Sequence, residues 1–493
     1  MTTTLPLYTA AQVRELDHIA IEEAGIPGYT LMSRAGAAAW DTLREAWPEA
    51  RHIVVVCGTG NNGGDGYVLA RLALEARCRV MVLQLGDAGR IGGDALTARE
   101  AYLAAGGVVS VADPALLQDA GVIVDALLGT GLERPLEGEW LSMVEALNRA
   151  AAPVLAIDIP SGLHADTGAV LGAAVEAQRT MTFIGRKQGL YTGRAAEFTG
   201  AVSFSDLGVP AGICQRIPPP ARLVTAPSLG KLAAPRPRAA HKGAHGHVLV
   251  IGGDRGMNGA VRLAGEAALR VGAGLVSLAT RTDHAAVISA ACPELMSHGV
   301  GSARELLPLL ARATVVVAGP GLGRSPWARA LFAAALESSL PLLVDADALN
   351  LLSREPTRRD DWVLTPHPGE AGRLLQQDTA VVQRDRYAAV RALGDAFGGV
   401  AVLKGAGTLV YRAGSPVEVC AAGNPGMATG GMGDVLSGVI AGLIAQGLDL
   451  PRASTAGVCL HARAGDRAAG QGERGMTPRD VIDALRFVVN AGA

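Results

Sequence analysis

The chain has 493 residues, 49% hydrophobic and 18% charged, with 64 glycines and a formal net charge of −2. That length allows about three domains at one per ~150 residues, and the composition suits large α/β cores with many tight turns. A near-neutral balance without any Lys/Arg block excludes the electrostatic footprint of a nucleic-acid binder. No basic-then-apolar leader opens the chain, and its longest weakly polar run, 435–448, falls short of the ~18 apolar residues of a membrane span. A soluble, cytoplasmic protein with no membrane partner is expected.

Cys57, Cys78, Cys214, Cys292, Cys420 and Cys459 form no CxxC or zinc spacing, so reduced, mostly buried thiols are expected. Basic residues are nearly all arginine. The only lysines are Lys187, Lys231, Lys242 and Lys404, three of them beside glycine motifs (GRKQGL, HKGAHG and LKGAGT). A lysine kept in so arginine-rich a chain reflects either a need for a compact ammonium or chance.

In chain order, the amphipathic segment 10–25 comes first. It suits a dimer-forming helix or packing on its own domain, and a homo-oligomer is expected. Short Val/Ile/Leu runs then alternate with helix-length segments, the pattern of parallel sheets covered on both faces. Strands are expected at 52–56, 79–85, 108–111, 122–127, 154–159, 180–184 and 201–204. A second set follows at 247–252, 275–280, 314–319, 341–346, 362–365, 400–404, 408–411 and 417–421. Between the sets lie Pro218, Pro219, Pro220, Pro227, Pro235 and Pro237, which oppose helices and central strands. The expected division is a first domain over 1–215, a Pro-rich linker over 216–240 and a second domain over 225–493. The halves share no register of motifs, so they are two different domains.

After the first strand comes GTGNNGGDG (58–66), with the dinucleotide-binding spacing of glycines and a helix expected to begin near Tyr67. A Rossmann-like cofactor site also wants an acidic residue at the end of the next strand, and that strand runs to Leu85 without one. Polar groups gather instead at other strand ends: Asn62, Asp125 before Gly129-Thr130-Gly131, then Asp158 and Ser161. Ligands bind outside the carboxyl ends of such strands. An Asn carbonyl, a carboxylate and a Ser oxygen suit a hard cation. Either aspartate alone also serves as a turn or helix cap; four such groups together favour a ligand.

These motifs, GxGNNGGDG, VDALLGTGLERP and AIDIPSG in order across residues 8–214, resemble the NAD(P)H-hydrate epimerase domain family. The resemblance implies interconversion of R- and S-NAD(P)HX, the hydrated form of the reduced cofactor. It implies that Asn62, Asp125 and Ser161 hold K+. Substrate contacts would come from Asn61, Asn62, Gly63, Gly64, Asp65, Gly129, Thr130, Gly131, Leu132, Glu133, Arg134 and Pro135, with Asp158 at the hydrated ring as the candidate proton shuttle.

In the second half, GNPGMATGGMGD (423–434) is the most informative stretch. Gly430, Gly431 and Gly433 open an apolar helix, offering amides and a helix dipole to an anion. Asp434 beside them can act as a base on a hydroxyl aimed at a phosphoryl group, or simply as a favoured first-turn acid. No P-loop occurs. With KGxxG, GPGLG, DADALN, TPHPGE and LKGxGT, also in order, residues 225–490 resemble the ribokinase-like ADP-dependent NAD(P)H-hydrate dehydratase family. Asp254-Arg255 departs from the small residues of that pattern.

The resemblance implies that Ala260, Gly321, His367 and Asp434 meet the hydrated dinucleotide. Lys404, Gly405, Ala406, Gly407, Thr408 and Gly433 would meet ADP, the co-substrate. Mg2+ would be positioned through water by Glu370, with Asp345 or Asp347 as further candidates. Asp434 would deprotonate the hydroxyl that is phosphorylated before phosphate leaves. The expected fold class is therefore α/β, two three-layer αβα domains, N-terminal Rossmann-like and C-terminal ribokinase-like. The small-molecule partners are NADHX, NADPHX and ADP. A ribokinase-like vitamin-precursor kinase with an N-terminal nucleotide-binding domain is the alternative.

Overall fold

The computed structural model describes residues 3–227 and 235–490. The chain divides into two compact units, Pro6–Ala221 and a second formed by Met1–Leu5 with Arg222–Ala493. Lys231 lies outside the described residues.

The first unit is built on a seven-stranded sheet. Its order is Val109–Val111, Arg79–Gln84, His52–Cys57, Val122–Ala126, Val154–Ile157, Arg179–Phe183, Ala201–Ser205, and every pairing is parallel. Chain order reverses between His52–Cys57 and Val122–Ala126, making the crevice at their carboxyl ends the topological switch point. Central strands are buried throughout because helices cover both faces. Ile53, Val55 and Cys57 face a core shared with helices Ala10–Glu22, Gly28–Ala46 and Asn61–Glu75, whereas Val54 and Val56 face Gly138–Arg149. Each such side chain withdrawn from water contributes about 1.5–3 kcal/mol.

The helix Ala10–Glu22 is started by a capping box between Thr9 and Gln12. It buries Val13, Leu16 and Ile19 in its own unit's core, which settles the role of that apolar face.

In the second unit the strand order is Met296–Gly299, Leu275–Thr280, His247–Ile251, Val315–Ala318, Leu342–Val344, Trp362–Leu364, Val400–Leu403, Thr408–Tyr411, Val417–Cys420, Ala221–Ala226. Pairing is parallel as far as Val400–Leu403; the next two strands return antiparallel. The switch point lies between His247–Ile251 and Val315–Ala318, beneath the helix Met432–Ala445.

The stretch expected to be a linker thus contains a strand. The prolines at 218–220 stop short of it, and Val224 is free to pair and bury itself. Thr225 also donates from its hydroxyl to the carbonyl of Thr3 at 3.1 Å, so the chain start belongs with this unit. The strand Met296–Gly299 was equally unmarked, because MSHG lacks the β-branched run that signals a strand. All six cysteines are free, five of them buried. Among the described residues no helix is long and apolar enough to cross a membrane.

Candidate active sites

In the first unit a cavity of about 720 Å³ opens at the switch point. The helix on its floor starts at Asn61, six residues earlier than the glycine pattern suggests. Tertiary packing overrides the poor helix propensity of Gly63, Gly64 and Gly66. A Cβ on Gly63 would meet the Gly58 carbonyl at 2.2 Å, and one on Gly66 would meet Ala126 Cβ at 2.5 Å. NNGGDG is therefore the first helical turn and a half, and its free amides are those nearest Asn61.

Asn61, Asn62, Asp65, Gly129, Thr130, Gly131, Leu132, Glu133, Arg134 and Asp158 all line the cavity. Gly63 and Gly64 instead pack behind it, and Pro135 does not reach the lining. Asp125 and Ser161 sit one layer back. The Asp125 carboxylate is fully buried; it accepts from Ser161 N at 2.8 Å, Ser161 Oγ at 2.7 Å and Leu127 N at 3.2 Å. Burial pushes its pKa up to about 6 despite those bonds. Asn62 is 8% exposed, and both Oδ1 and Nδ2 of its side chain are buried without a hydrogen-bond partner. A Cβ on Gly129 would lie 3.5 Å from Asn62 Cβ and 3.7 Å from Asp158 Oδ2, so that turn brings the two groups together.

Asp158 follows its strand with φ +67, a left-handed backbone that L-residues avoid. Ile184 (φ +60) and Leu207 (φ +54), both lining the same cavity, do likewise. Three neighbouring strands thus end in strained turns facing one space.

The partner of Asp158 is Lys187, which is 1% exposed and also donates to Thr182 Oγ1 and the Phe183 carbonyl, each at 3.1 Å. Its place in the site was signalled only by the rarity of lysine. Asp17, from the first helix, lines the cavity too; burial pushes its carboxyl up to about 6. Burial, reinforced by Asp158 and Asp17, raises Asp65 well above the carboxylate range. Around one buried ammonium the site thus gathers Asp158 with two carboxyls, Asp17 and Asp65, whose affinity for protons burial raises.

In the second unit the glycine motifs gather at the carboxyl ends of the parallel strands. Gly253 N donates to the Pro320 carbonyl at 2.9 Å and Asp254 N to that of Gly321 at 2.6 Å, which joins the first two loops. A Cβ on Gly321 would lie 3.1 Å from that of Ala260. Asp254, the departure from the family pattern, accepts from Arg281 Nε at 2.7 Å and Ser325 Oγ at 2.9 Å, while Arg281 stacks on Trp327. It staples the two loops.

Lys404 donates to Asp345 Oδ1 at 2.7 Å and lies 3.8 Å from Glu370 Oε2. Ser437 Oγ takes the other Asp345 oxygen at 2.7 Å. Asp345 thereby anchors Lys404 and the helix carrying Asp434. Burial depresses the Lys404 ammonium, but Asp345 and Glu370 outweigh that and hold it above its usual value. Burial, then the neighbouring charge of Asp345, pushes Asp434 up to about 7.

His367 is half out in solvent; its Nδ1 accepts from Gly369 N at 3.0 Å, and its backbone N–H donates to Glu370 Oε2 at 2.8 Å. Gly405, Ala406 and Thr408 stay accessible at the tip of the turn after Val400–Leu403. Gly433, in the first turn of its helix, faces Lys404, whose Nζ would lie 3.3 Å from an added Cβ. Lys242 remains at the surface. Among the described residues no group of three or more His, Cys, Asp or Glu side chains is arranged to hold a metal directly.

A doubly wound sheet with a helix N-terminus at its switch point, and a second whose glycine-rich helix start carries an aspartate pushed up to about 7, give the architecture of a two-domain α/β enzyme with a crevice at each switch point. Residues 28–189 match the YjeF-related protein N-terminus family, and residues 248–486 match the NAD(P)H-hydrate dehydratase family. The bifunctional NAD(P)H-hydrate repair enzyme Nnr of Coxiella burnetii is 50% identical over 98% of this chain and 99% of its own length. The Escherichia coli enzyme of the same name is 43% identical over 98% and 94%. A ribokinase-like superfamily protein of Enterococcus faecalis, 29% identical, covers 56% of this chain and 97% of its own with a TM-score of 0.50. The chain belongs to the bifunctional NAD(P)H-hydrate repair enzymes, with an epimerase and a dehydratase in one polypeptide.

Proposed function

We propose that Asp158, held by Lys187, transfers the proton in the epimerase site, and that Asp434 is the base of an ADP-dependent dehydratase. The observations that support this most directly are the buried Lys187–Asp158 ion pair in the first site and, in the second, burial that pushes Asp434 up to about 7 beside the Lys404 charge.

In the first site Asp158 delivers a proton to the ring hydroxyl of NAD(P)HX, which departs as water. The same carboxylate then takes a proton from water adding to the opposite face. Lys187 fixes the Asp158 side chain in place, and the acid is regenerated at the end of each exchange. Asn61, Asn62, Asp65 and the 129–134 turn bind the dinucleotide around it.

Asn62, Asp125 and Ser161 carry the oxygen types that suit a monovalent cation: an orphaned amide oxygen on the cavity wall and, one layer back, a buried carboxylate bonded to a hydroxyl. Bound K+ supplies local positive charge to that wall.

In the second site Asp434 removes the proton from the hydroxyl of S-NAD(P)HX as its oxygen attacks the terminal phosphoryl of ADP, and AMP leaves. Amides at Gly430–Gly433 receive the phosphoryl charge. Phosphate is then eliminated with loss of a ring proton, regenerating NAD(P)H. Lys404–Thr408 and Gly433 hold the nucleotide; Ala260, Gly321 and His367 orient the substrate. Glu370 and Asp347 supply hard oxygens for Mg2+ held through water and phosphates, as suits that ion. Free thiols throughout accord with a reducing cytoplasm.

The test is recovery of NADH absorbance from S-NADHX with ADP, repeated with R-NADHX. Asp158→Asn is expected to abolish recovery from the R epimer only, and Asp434→Asn from both. Wild-type epimer exchange in the first variant, or full ATP dependence with ADP inert, defeats the corresponding half.

A further inference from the structure

One charged side chain behind the second site has no part in that mechanism. Arg386 opens the helix Arg386–Phe397 and is 1% exposed, among the most deeply buried large side chains of the protein. Its Nη1 donates to Gln383 Oε1 at 2.9 Å. Its Nη2 donates to two consecutive carbonyls, Leu403 and Lys404, each at 3.2 Å. Burial lowers its pKa to about 10, which leaves it charged at neutral pH. Gly405 lies against the guanidinium with φ +140; a Cβ there would stand 3.1 Å from both Nη atoms. Only glycine meets both the torsion and the approach.

In a trans peptide the C=O and N–H of one unit point opposite ways. Holding the Leu403 carbonyl on the arginine side sends Lys404 N–H the other way, where it donates to the Pro366 carbonyl at 2.9 Å. Holding the Lys404 carbonyl likewise turns Gly405 N–H away from the guanidinium, on a residue that is exposed. One buried fork therefore sets two peptide planes. It aims one amide outward and fixes the backbone from which Lys404 reaches Asp345.

We propose that Arg386 is the positioning residue of the nucleotide loop, orienting Gly405 N–H and the Lys404 ammonium toward the phosphates of a nucleoside diphosphate. The inference rests on the reading of Lys404–Thr408 as the nucleotide contact. A guanidinium is required because a lysine cannot span two carbonyls and Gln383 in one plane.

The test uses the full-length protein with S-NADHX as substrate, measuring KM for ADP, KM for S-NADHX and kcat for Arg386→Lys, Arg386→Met, Gly405→Ala and Lys404→Met. All four are expected to raise KM for ADP by about tenfold or more while KM for S-NADHX stays within about twofold, with Arg386→Lys the mildest. Gly405→Ala perturbs the same contact from the opposite side, so it decides the matter if Arg386→Met does not fold. A parallel loss of kcat and thermal stability with an unchanged ratio of the two KM values makes Arg386 a purely structural residue and overturns the proposal. So does an unchanged KM for ADP in the arginine and glycine variants when Lys404→Met raises it. An unchanged KM for ADP in Lys404→Met removes the nucleotide reading itself.

Discussion

The dehydratase should switch on with pH through the titration of Asp434. This carboxyl is pushed up to about 7 by burial and by the neighbouring charges of Asp345, Asp347 and Glu370, with Lys404 pulling the other way. Asp434 is useful as a base only when ionised. With a pKa near 7 the ionised fraction is about a tenth at pH 6 and about nine tenths at pH 8. Dehydratase kcat/KM for S-NADHX should therefore rise roughly tenfold across that interval, the free-enzyme profile being the one to follow. Asp347→Asn removes one like charge and keeps an acceptor for Gly323 N, now 2.9 Å away, so the acidic limb should move to lower pH. Linkage runs in the opposite sense. The native state binds more protons than the unfolded chain between about pH 4 and 7, so the contribution of Asp434 to stability is present below that window and lost as pH rises through 7. Buffers matched in ionic strength, saturating ADP and NADH absorbance suffice for the assay. A flat kcat/KM from acid to alkaline pH, or an upward shift in Asp347→Asn, would refute the assignment of Asp434 as the base.

Lys187→Met leaves Asp158 without its partner, and the loss of one member of so buried a pair costs about 3–5 kcal/mol. For a unit of this size that lowers the melting temperature by roughly 6–20 °C and abolishes epimer exchange; an unchanged melt argues against a buried ion pair. Replacing K+ by choline should slow exchange between R- and S-NADHX while leaving turnover of the S epimer intact. Asn62→Leu should remove that difference, since it deletes the orphaned amide. Asp254→Ala frees Arg281 and Ser325, costing about 1.5–3 kcal/mol, and should raise KM for S-NADHX without touching KM for ADP. Equal changes in both constants would show that the loop staple serves the whole domain.

The strands at the centre of each sheet were plain in the sequence because both their faces are buried, so HIVVVC, VIVDA and VVVA read as continuous apolar runs. The edge strand Met296–Gly299 carries no such run, since solvent and a single partner relax the demand, and Thr3–Tyr8 and Ala221–Ala226 lack one because their burial is only partial. Helix starts were less legible. Glycines at 63, 64 and 66 speak against a helix locally, and close packing on the sheet overrules them. Glycine turns, strand-end aspartates and their order were local features, so the sequence alone pointed to the family, the two chemistries and ten of the residues around the first cavity. Which side chains meet was decided only by the tertiary structure. The pairing of Lys187 with Asp158 and of Lys404 with Asp345, the second grip of Ser437 on Asp345, and the fork of Arg386 beneath Gly405 join residues 17 to 92 positions apart. Burial sets the protonation of Asp17, Asp65 and Asp434, and burial belongs to the folded chain, because water leaves these carboxyls only when distant segments close over them.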